Sequence, residues 1–188
     1  TRKNYAGPTL IDIRKFLFSY RSFTPVPIAF VLIYNSNFRI LWMLIGIGFV
    51  ILGESIRIIS VQYAGGATRT TKVGAPSLCT SGPYSRSRNP LYFGNVLIYV
   101  GMSFIAGGAY LYETSLFIFF YFVFQYSMII SLEEETLNIL FPEDYKNYCN
   151  NVPRLFPKLK PWTGKDNRIP IHVSKTLRTE KRTFQNIF

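Results

Sequence analysis

The sequence predicts an all-α, polytopic membrane helix bundle with about four transmembrane helices, and three observations carry that expectation. Residues 91–108 and 114–132 contain no charged side chain, and each run is about long enough to cross a ~30 Å hydrocarbon layer as a helix. Of the 188 residues, 48% are apolar and 17% aromatic, so length does not limit the fold and the distribution of those residues in successive uncharged runs decides it. The basic residues also alternate in place. Arg2, Lys3, Arg14 and Lys15 precede the first apolar run, Arg69, Lys72, Arg86 and Arg88 lie between the second and third, and Lys158, Lys160, Lys165 and Arg168 follow the fourth. The opposite connections hold Arg39 and no base at all. Both termini are therefore expected on the cytoplasmic side, in a bacterial inner membrane or the endoplasmic reticulum.

The formal net charge of +11 sits beside apolar spans, so anionic headgroups of the bilayer are the expected partner and nucleic acid is not. Cys79, Cys149 and the single His172 supply neither a metal-type cluster nor a disulfide framework. The first residues lack the basic, apolar, small order of a cleavable leader, and none is expected.

Along the chain, Leu10, Ile13, Leu17 and Tyr20 recur at helical spacing and predict an interfacial amphipathic helix over 9–20. Residues 22–36 are uncharged but short, with Pro25 and Pro27 delaying the helix; they are expected to span by borrowing length from the preceding turn. The second span covers 38–61. Glu54 and Arg57, three apart near its end, share a face, either as a boundary pair or as the rim of a cofactor pocket. Residues 63–81 carry glycines, Pro76, Arg69 and Lys72 without an apolar period, a loop long enough to be functional. The third and fourth spans meet at the tight turn around Gly107 and Gly108, and the fourth is aromatic on all sides before it reaches Glu133. Pro142, Glu143 and Asp144 then open a short cytoplasmic C-terminal helix, with acids in its first turn. The expected organisation is one membrane domain over 1–157 and a basic cytoplasmic tail over 158–188, which either binds anionic lipid or packs over the pocket.

Chemistry concentrates in residues 80–94. Asn89 and Pro90 read as the N-cap and first position of a helix, whose positive end, with Arg86 and Arg88, suits a carboxylate or phosphate. The same residues would equally serve as an ordinary capped span with its flanking arginines.

Gly82, Pro83, Tyr84, Arg88, Pro90, Tyr92 and Gly94 resemble the signature of the isoprenylcysteine carboxyl methyltransferase and phospholipid methyltransferase superfamily, with Asn89 where that family usually has His. A second block, Glu133, Glu134, Glu135, Leu137, Phe141, Tyr145, Tyr148, Val152, Pro153 and Arg154, resembles its C-terminal signature in order and spacing. The resemblance covers roughly 54–157. It implies an integral membrane enzyme that uses S-adenosylmethionine and binds it outside any Rossmann domain, with Gly82, Pro83, Tyr84, Arg88, Asn89, Tyr92, Gly94, Glu133 and Glu134 around the methyl donor. The donor's ammonium calls for an acid, which Glu133 and Glu134 provide, and its carboxylate calls for the Asn89 helix start and Arg88. Standing at the end of a helix, the acidic block would oppose the dipole and so want a cationic ligand. Glu134 and Arg154 are the residues expected at the chemistry, Arg154 either neutralising an acceptor or pairing with the triplet. The acceptor is expected to be lipid-like, a prenylcysteine carboxylate or a phospholipid amine. A nicotinamide-dependent reductase of the sterol reductase type and a non-catalytic membrane scaffold are the competing expectations.

Overall fold

The structure, a computed structural model, describes residues 12–65, 77–164 and 166–171. The start of the expected amphipathic helix, the middle of the 63–81 loop, Lys165, His172 and the rest of the tail lie outside the described residues. Within them the chain is helical: α1 (Ile13–Ser19), α2 (Pro25–Tyr34), α3 (Ile40–Ala64), α4 (Pro90–Ala106), α5 (Leu111–Leu140) and α6 (Pro142–Asn151), with a 3-10 turn at Gly82–Ser85. The single β-type contact among them is an isolated bridge of Asn37 with Gly107.

α1 starts later than its apolar period predicts because Asp12 caps it, its Oδ1 accepting from the Arg14 amide at 3.1 Å. α2 has ten residues and rises about 15 Å, half of a ~30 Å hydrocarbon layer. The turn at 20–24, in which Phe23 and Thr24 donate back to Tyr20 O, adds the length that Pro25 prevents the helix from having. α3 and α5, of 25 and 30 residues, are long and apolar enough to cross a membrane. Only 22% of the most apolar window of α3 is buried, and Ile40, Leu41, Leu44, Ile51 and Leu52 on α3, with Phe117, Phe120 and Phe124 on α5, are exposed. An exterior this apolar belongs against lipid rather than water.

α3 and α4 pack antiparallel through glycine. A Cβ on Gly53 would stand 2.6 Å from Gly94 O, and one on Gly46 would stand 2.5 Å from Gly101 O. The seven-residue spacing of both pairs keeps the seam on one face of each helix, and the absence of side chains brings the backbones together. The opposite face of α4 meets α5 through rings and hydroxyls. Ser103 and Ser115 hydroxyls are 2.8 Å apart, Tyr99 stacks on Phe122 at 3.9 Å between centroids, and Tyr92 stacks on Tyr126 at 4.8 Å. Ile118, Phe122, Ile129 and Ile130 are fully buried in this core.

α5 also overturns an expectation. Its thirty residues continue through Leu140, so Glu133–Glu134–Glu135 lies within the helix and not at its end. The unfavourable dipole argument does not apply there, because that effect fades beyond the last turn. What the triplet experiences instead is rotation: successive side chains diverge by about 100° on a helix of 3.6 residues per turn.

Candidate functional site

The three consecutive acids of α5 face different partners. Glu133 Oε1 accepts from Tyr92 Oη at 2.8 Å. Glu134 is gripped from both sides: Arg88 Nη2 donates to Oε1 at 2.8 Å, and Arg154 Nη2 stands 2.9 Å from Oε2. The exposed Glu135 pairs with Arg14 of α1. Because Arg88 comes from the loop before α4 and Arg154 follows α6, Glu134 joins three separated stretches of chain in one ion triad.

Arg88 does more than meet Glu134. Its Nη1 donates to Val152 O at 2.8 Å and Cys149 O at 3.2 Å, the carbonyl end of α6, where a cation is favoured both as hydrogen-bond donor and against the dipole. Burial works to lower the Arg88 guanidinium's proton affinity, but the Glu134 hydrogen bond and charge carry it above its ordinary value. Each of its three guanidinium nitrogens donates within the protein, beside whatever the remaining Nη2 N–H can offer a ligand carboxylate.

Asn89 requires a second correction. It occupies the N-cap position of α4, but its side chain makes no bond to a helix amide. Its Nδ2 donates instead to Arg154 O at 2.8 Å, while its own amide donates to Ser87 Oγ at 3.1 Å. Ser87 is fully buried, and its hydroxyl donates to Leu155 O at 2.8 Å; Arg88 N donates to Pro153 O at 2.9 Å. Three consecutive residues therefore stitch the loop to residues 153–155. Pro90, which has no amide, removes one of the orphan donors of the helix start.

The remaining expected residues divide. Gly82 has φ 58°, and a Cβ there would lie 2.6 Å from the Tyr63 ring, so only glycine holds both the backbone and the space. Gly82 and Pro83 line a cavity on the α3 side, away from the Glu134 triad. Tyr84 turns toward α6, where Tyr148 Oη donates to Tyr84 O at 2.6 Å; burial raises the phenol pKa of both tyrosines. Gly94, expected around a cofactor, is the α3-facing glycine of the seam, with Gly53 O 2.7 Å from its would-be Cβ. Glu54 and Arg57 do pair, at 2.8 Å.

Sequence reasoning missed Arg21, which lies near enough to act electrostatically on both Glu133 and Tyr92 and whose Nη1 donates to Phe18 O at 2.6 Å. It also left residues 158–171 without a fixed place. Asp166 Oδ2 accepts from Thr80 N at 2.8 Å and Ser81 Oγ at 3.1 Å, Trp162 N donates to Ser85 O at 2.9 Å, and Ile171 N donates to Gln62 O at 3.0 Å. The described part of the tail packs over the loop.

Two polar opportunities remain at this end of the bundle. Arg154 Nε is buried without a hydrogen-bond partner, although the side chain as a whole is 40% exposed. Glu133 uses only Oε1 in its bond to Tyr92. An acid and a guanidinium with unused capacity, beside a helix bundle that excludes water, can hold a small ligand carrying both charges. Among the described residues no group of three or more His, Cys, Asp and Glu could hold a metal ion.

An apolar exterior around a charge-stitched polar end defines a membrane protein whose paired polar groups gather at one end of its helices. The profile of the family described as phospholipid methyltransferase matches residues 39–144, from the start of α3 into the first turn of α6. The chain belongs to this family. It is also 32% identical over 98 residues to the cobalt-zinc-cadmium resistance protein CzcN of Cupriavidus metallidurans, a match covering 52% of this chain and 43% of that protein. The family match contains Arg88, Asn89, Tyr92, Glu133 and Glu134 and stops before Arg154.

Proposed function

We propose that the chain is an integral membrane methyltransferase that moves a methyl group from S-adenosylmethionine to a lipid-like acceptor of the prenylcysteine carboxylate or phospholipid amine class. The observation that carries this is the convergence of both signature blocks on Glu134, through Arg88 and Arg154, beside the Tyr92–Glu133 pair. Glu133, through its second oxygen, would hold the donor's ammonium, and Arg154, through its remaining N–H groups, a carboxylate. Bound there, S-adenosylmethionine would supply a methyl group on a sulfonium, already activated for transfer. The chain's own part is positioning and exclusion of water, both of which favour a reaction that discharges a cation. A carboxylate acceptor needs no base, whereas an amine acceptor must first lose a proton.

In this reading α2, α3, α4 and α5 cross the membrane four times, α2 with the turn before it, and both termini are cytoplasmic. α5 rises about 45 Å, which exceeds the ~30 Å layer and carries Glu133–Glu135 to the boundary.

Calorimetry in detergent with S-adenosylmethionine and, separately, NADPH tests the assignment. We expect saturable heat from the first alone, and an affinity lower by about tenfold in Glu133→Gln, the loss of one charge-assisted bond. Heat from NADPH alone, or from neither, overturns it. Topology is tested on Cys149→Ser protein by labelling Cys79, whose thiol donates to Tyr63 O at 3.6 Å. Burial raises this thiol above its ordinary value, so less thiolate exists at a given pH, and labelling should accelerate as pH climbs past the ordinary thiol range. Rapid labelling by an impermeant maleimide from the non-cytoplasmic side would sink the four-span arrangement.

A further inference from the structure

Residues 77–89 lead into α4 with only the 3-10 turn as regular structure, so most of their backbone groups must find partners outside the loop. The described part of the tail supplies them. Arg168 Nη2 donates to Ser77 Oγ at 2.7 Å and to Leu78 O at 2.9 Å, while Asp166 Oδ2 accepts from Thr80 N at 2.8 Å and Ser81 Oγ at 3.1 Å. The second oxygen of Asp166 closes the pair, Oδ1 standing 3.3 Å from Arg168 Nε. One acid and one base therefore grip the loop on either side of Cys79, with side chains only 16% and 26% exposed. Gly164 permits the close approach, because a Cβ there would lie 2.8 Å from the Trp162 ring and 3.1 Å from Thr80 Oγ1.

Apolar burial adds little to this attachment. Leu159 is 93% exposed and Ile169 87%, and the segment's ring contact is Trp162 with Tyr148 at 5.8 Å between centroids. A stretch held by polar bonds at a few points, without a buried apolar face, is of the kind that opens as a unit below the global unfolding transition. We infer that Asp166 and Arg168 are positioning residues: as one clamp they hold residues 77–81, fix the loop that carries Arg88 to Glu134, and let the tail segment leave that loop as a single unit when the clamp fails. The clamp stands on the geometry alone; its bearing on the methyl donor rests on the function proposed above.

Hydrogen exchange read by mass spectrometry on the full chain in detergent tests the clamp, together with maleimide labelling of Cys79 on Cys149→Ser protein at one fixed pH. Asp166→Ala should speed exchange about tenfold, the equivalent of one charge-assisted bond, in residues 77–86 and 158–171 together, and should speed Cys79 labelling by a similar factor. Asp166→Asn keeps an oxygen for Thr80 and Ser81 but turns an amide N–H toward Arg168, so it should fall between Ala and the parent. Gly164→Ala leaves both charges in place and should also loosen the segment. All three variants should keep the parent's unfolding temperature, since the bonds of Asp166 reach no helix residue.

Faster exchange confined to residues 77–81, with the tail unchanged, overturns release as a unit. Asp166→Asn matching the parent overturns the pairing with Arg168. The positioning role is read by S-adenosylmethionine calorimetry on the same samples, where affinity should fall by about tenfold in Asp166→Ala and partly recover in Asp166→Asn. Donor affinity unchanged in Asp166→Ala while the segment exchanges faster overturns that role. Absence of donor binding in the parent itself removes the proposed activity, and the exchange pattern then decides the clamp by itself.

Discussion

The two faces of α4 hold the helix by opposite means. Toward α3 it presents Gly94 and Gly101 against Gly53 and Gly46, backbone on backbone; toward α5 it presents Tyr92 and Tyr99, rings stacked on Tyr126 and Phe122. A stack of rings can adjust by small rotations about side-chain torsions. A carbonyl 2.6 Å from a would-be Cβ has no torsion to yield. The glycine face therefore fixes where α4 stands, and the aromatic face decides what its first turn offers Glu133.

The largest effect should come from filling the rigid face. Gly94→Val places a branched side chain against Gly53 O and the Arg57 stem and should cost roughly 3 kcal/mol, the upper part of the overpacking range, read from unfolding in detergent. Gly48, on the same helix as Gly53, has nothing within 4 Å of its would-be Cβ. Gly48→Ala should be neutral or stabilising by up to about 1 kcal/mol, the helix-propensity difference. Equal costs for the two would show that the seam is not close-packed.

Breaking the polar end of the aromatic face should cost less. Tyr92→Phe keeps the ring on Tyr126 but removes the donor to Glu133 at 2.8 Å, a bond to a carboxylate worth about 2 kcal/mol. If Glu133 serves the methyl donor's ammonium through its second oxygen, loss of Tyr92 frees Oε1 as well, so stability should fall more than donor affinity. A fall in affinity with no change in stability would mean that Tyr92 touches the ligand and Glu133 does not need it.

The helices and their order were legible because apolar runs, prolines and glycine turns are local signals. The acidic block stood out as a candidate site, yet its surroundings were not legible, because nothing local ends α5 between Leu132 and Pro142, and because helical rotation sends adjacent acids to partners as distant as Arg14 and Arg154. Gly94 looked like part of a ligand motif, since a sequence shows that a position is small but not whether a ligand or a helix lies against it. Residues 158–171 showed no period because backbone bonds and Asp166 anchor them rather than one buried face; periodicity reports faces only.

The smallest effect decides what Asn89 does. As an N-cap it would accept from an amide of α4, and Asp, an equally good cap, would replace it without loss. In the structure it donates, from Nδ2 to Arg154 O at 2.8 Å, and a carboxylate cannot donate. Asn89→Ala should therefore cost about 1 kcal/mol, one ordinary hydrogen bond, and Asn89→Asp more than Ala, because an anion would then face a carbonyl oxygen. Asn89→His, whose ring N–H can donate, should retain more stability than either at pH 8, where the imidazole is neutral. The unfolding temperatures of the three variants give the order directly. Asp ranking with the parent would restore the capping role, whereas Asp ranking last would establish that the residue ties α4 to the backbone of Arg154, and through it to Glu134.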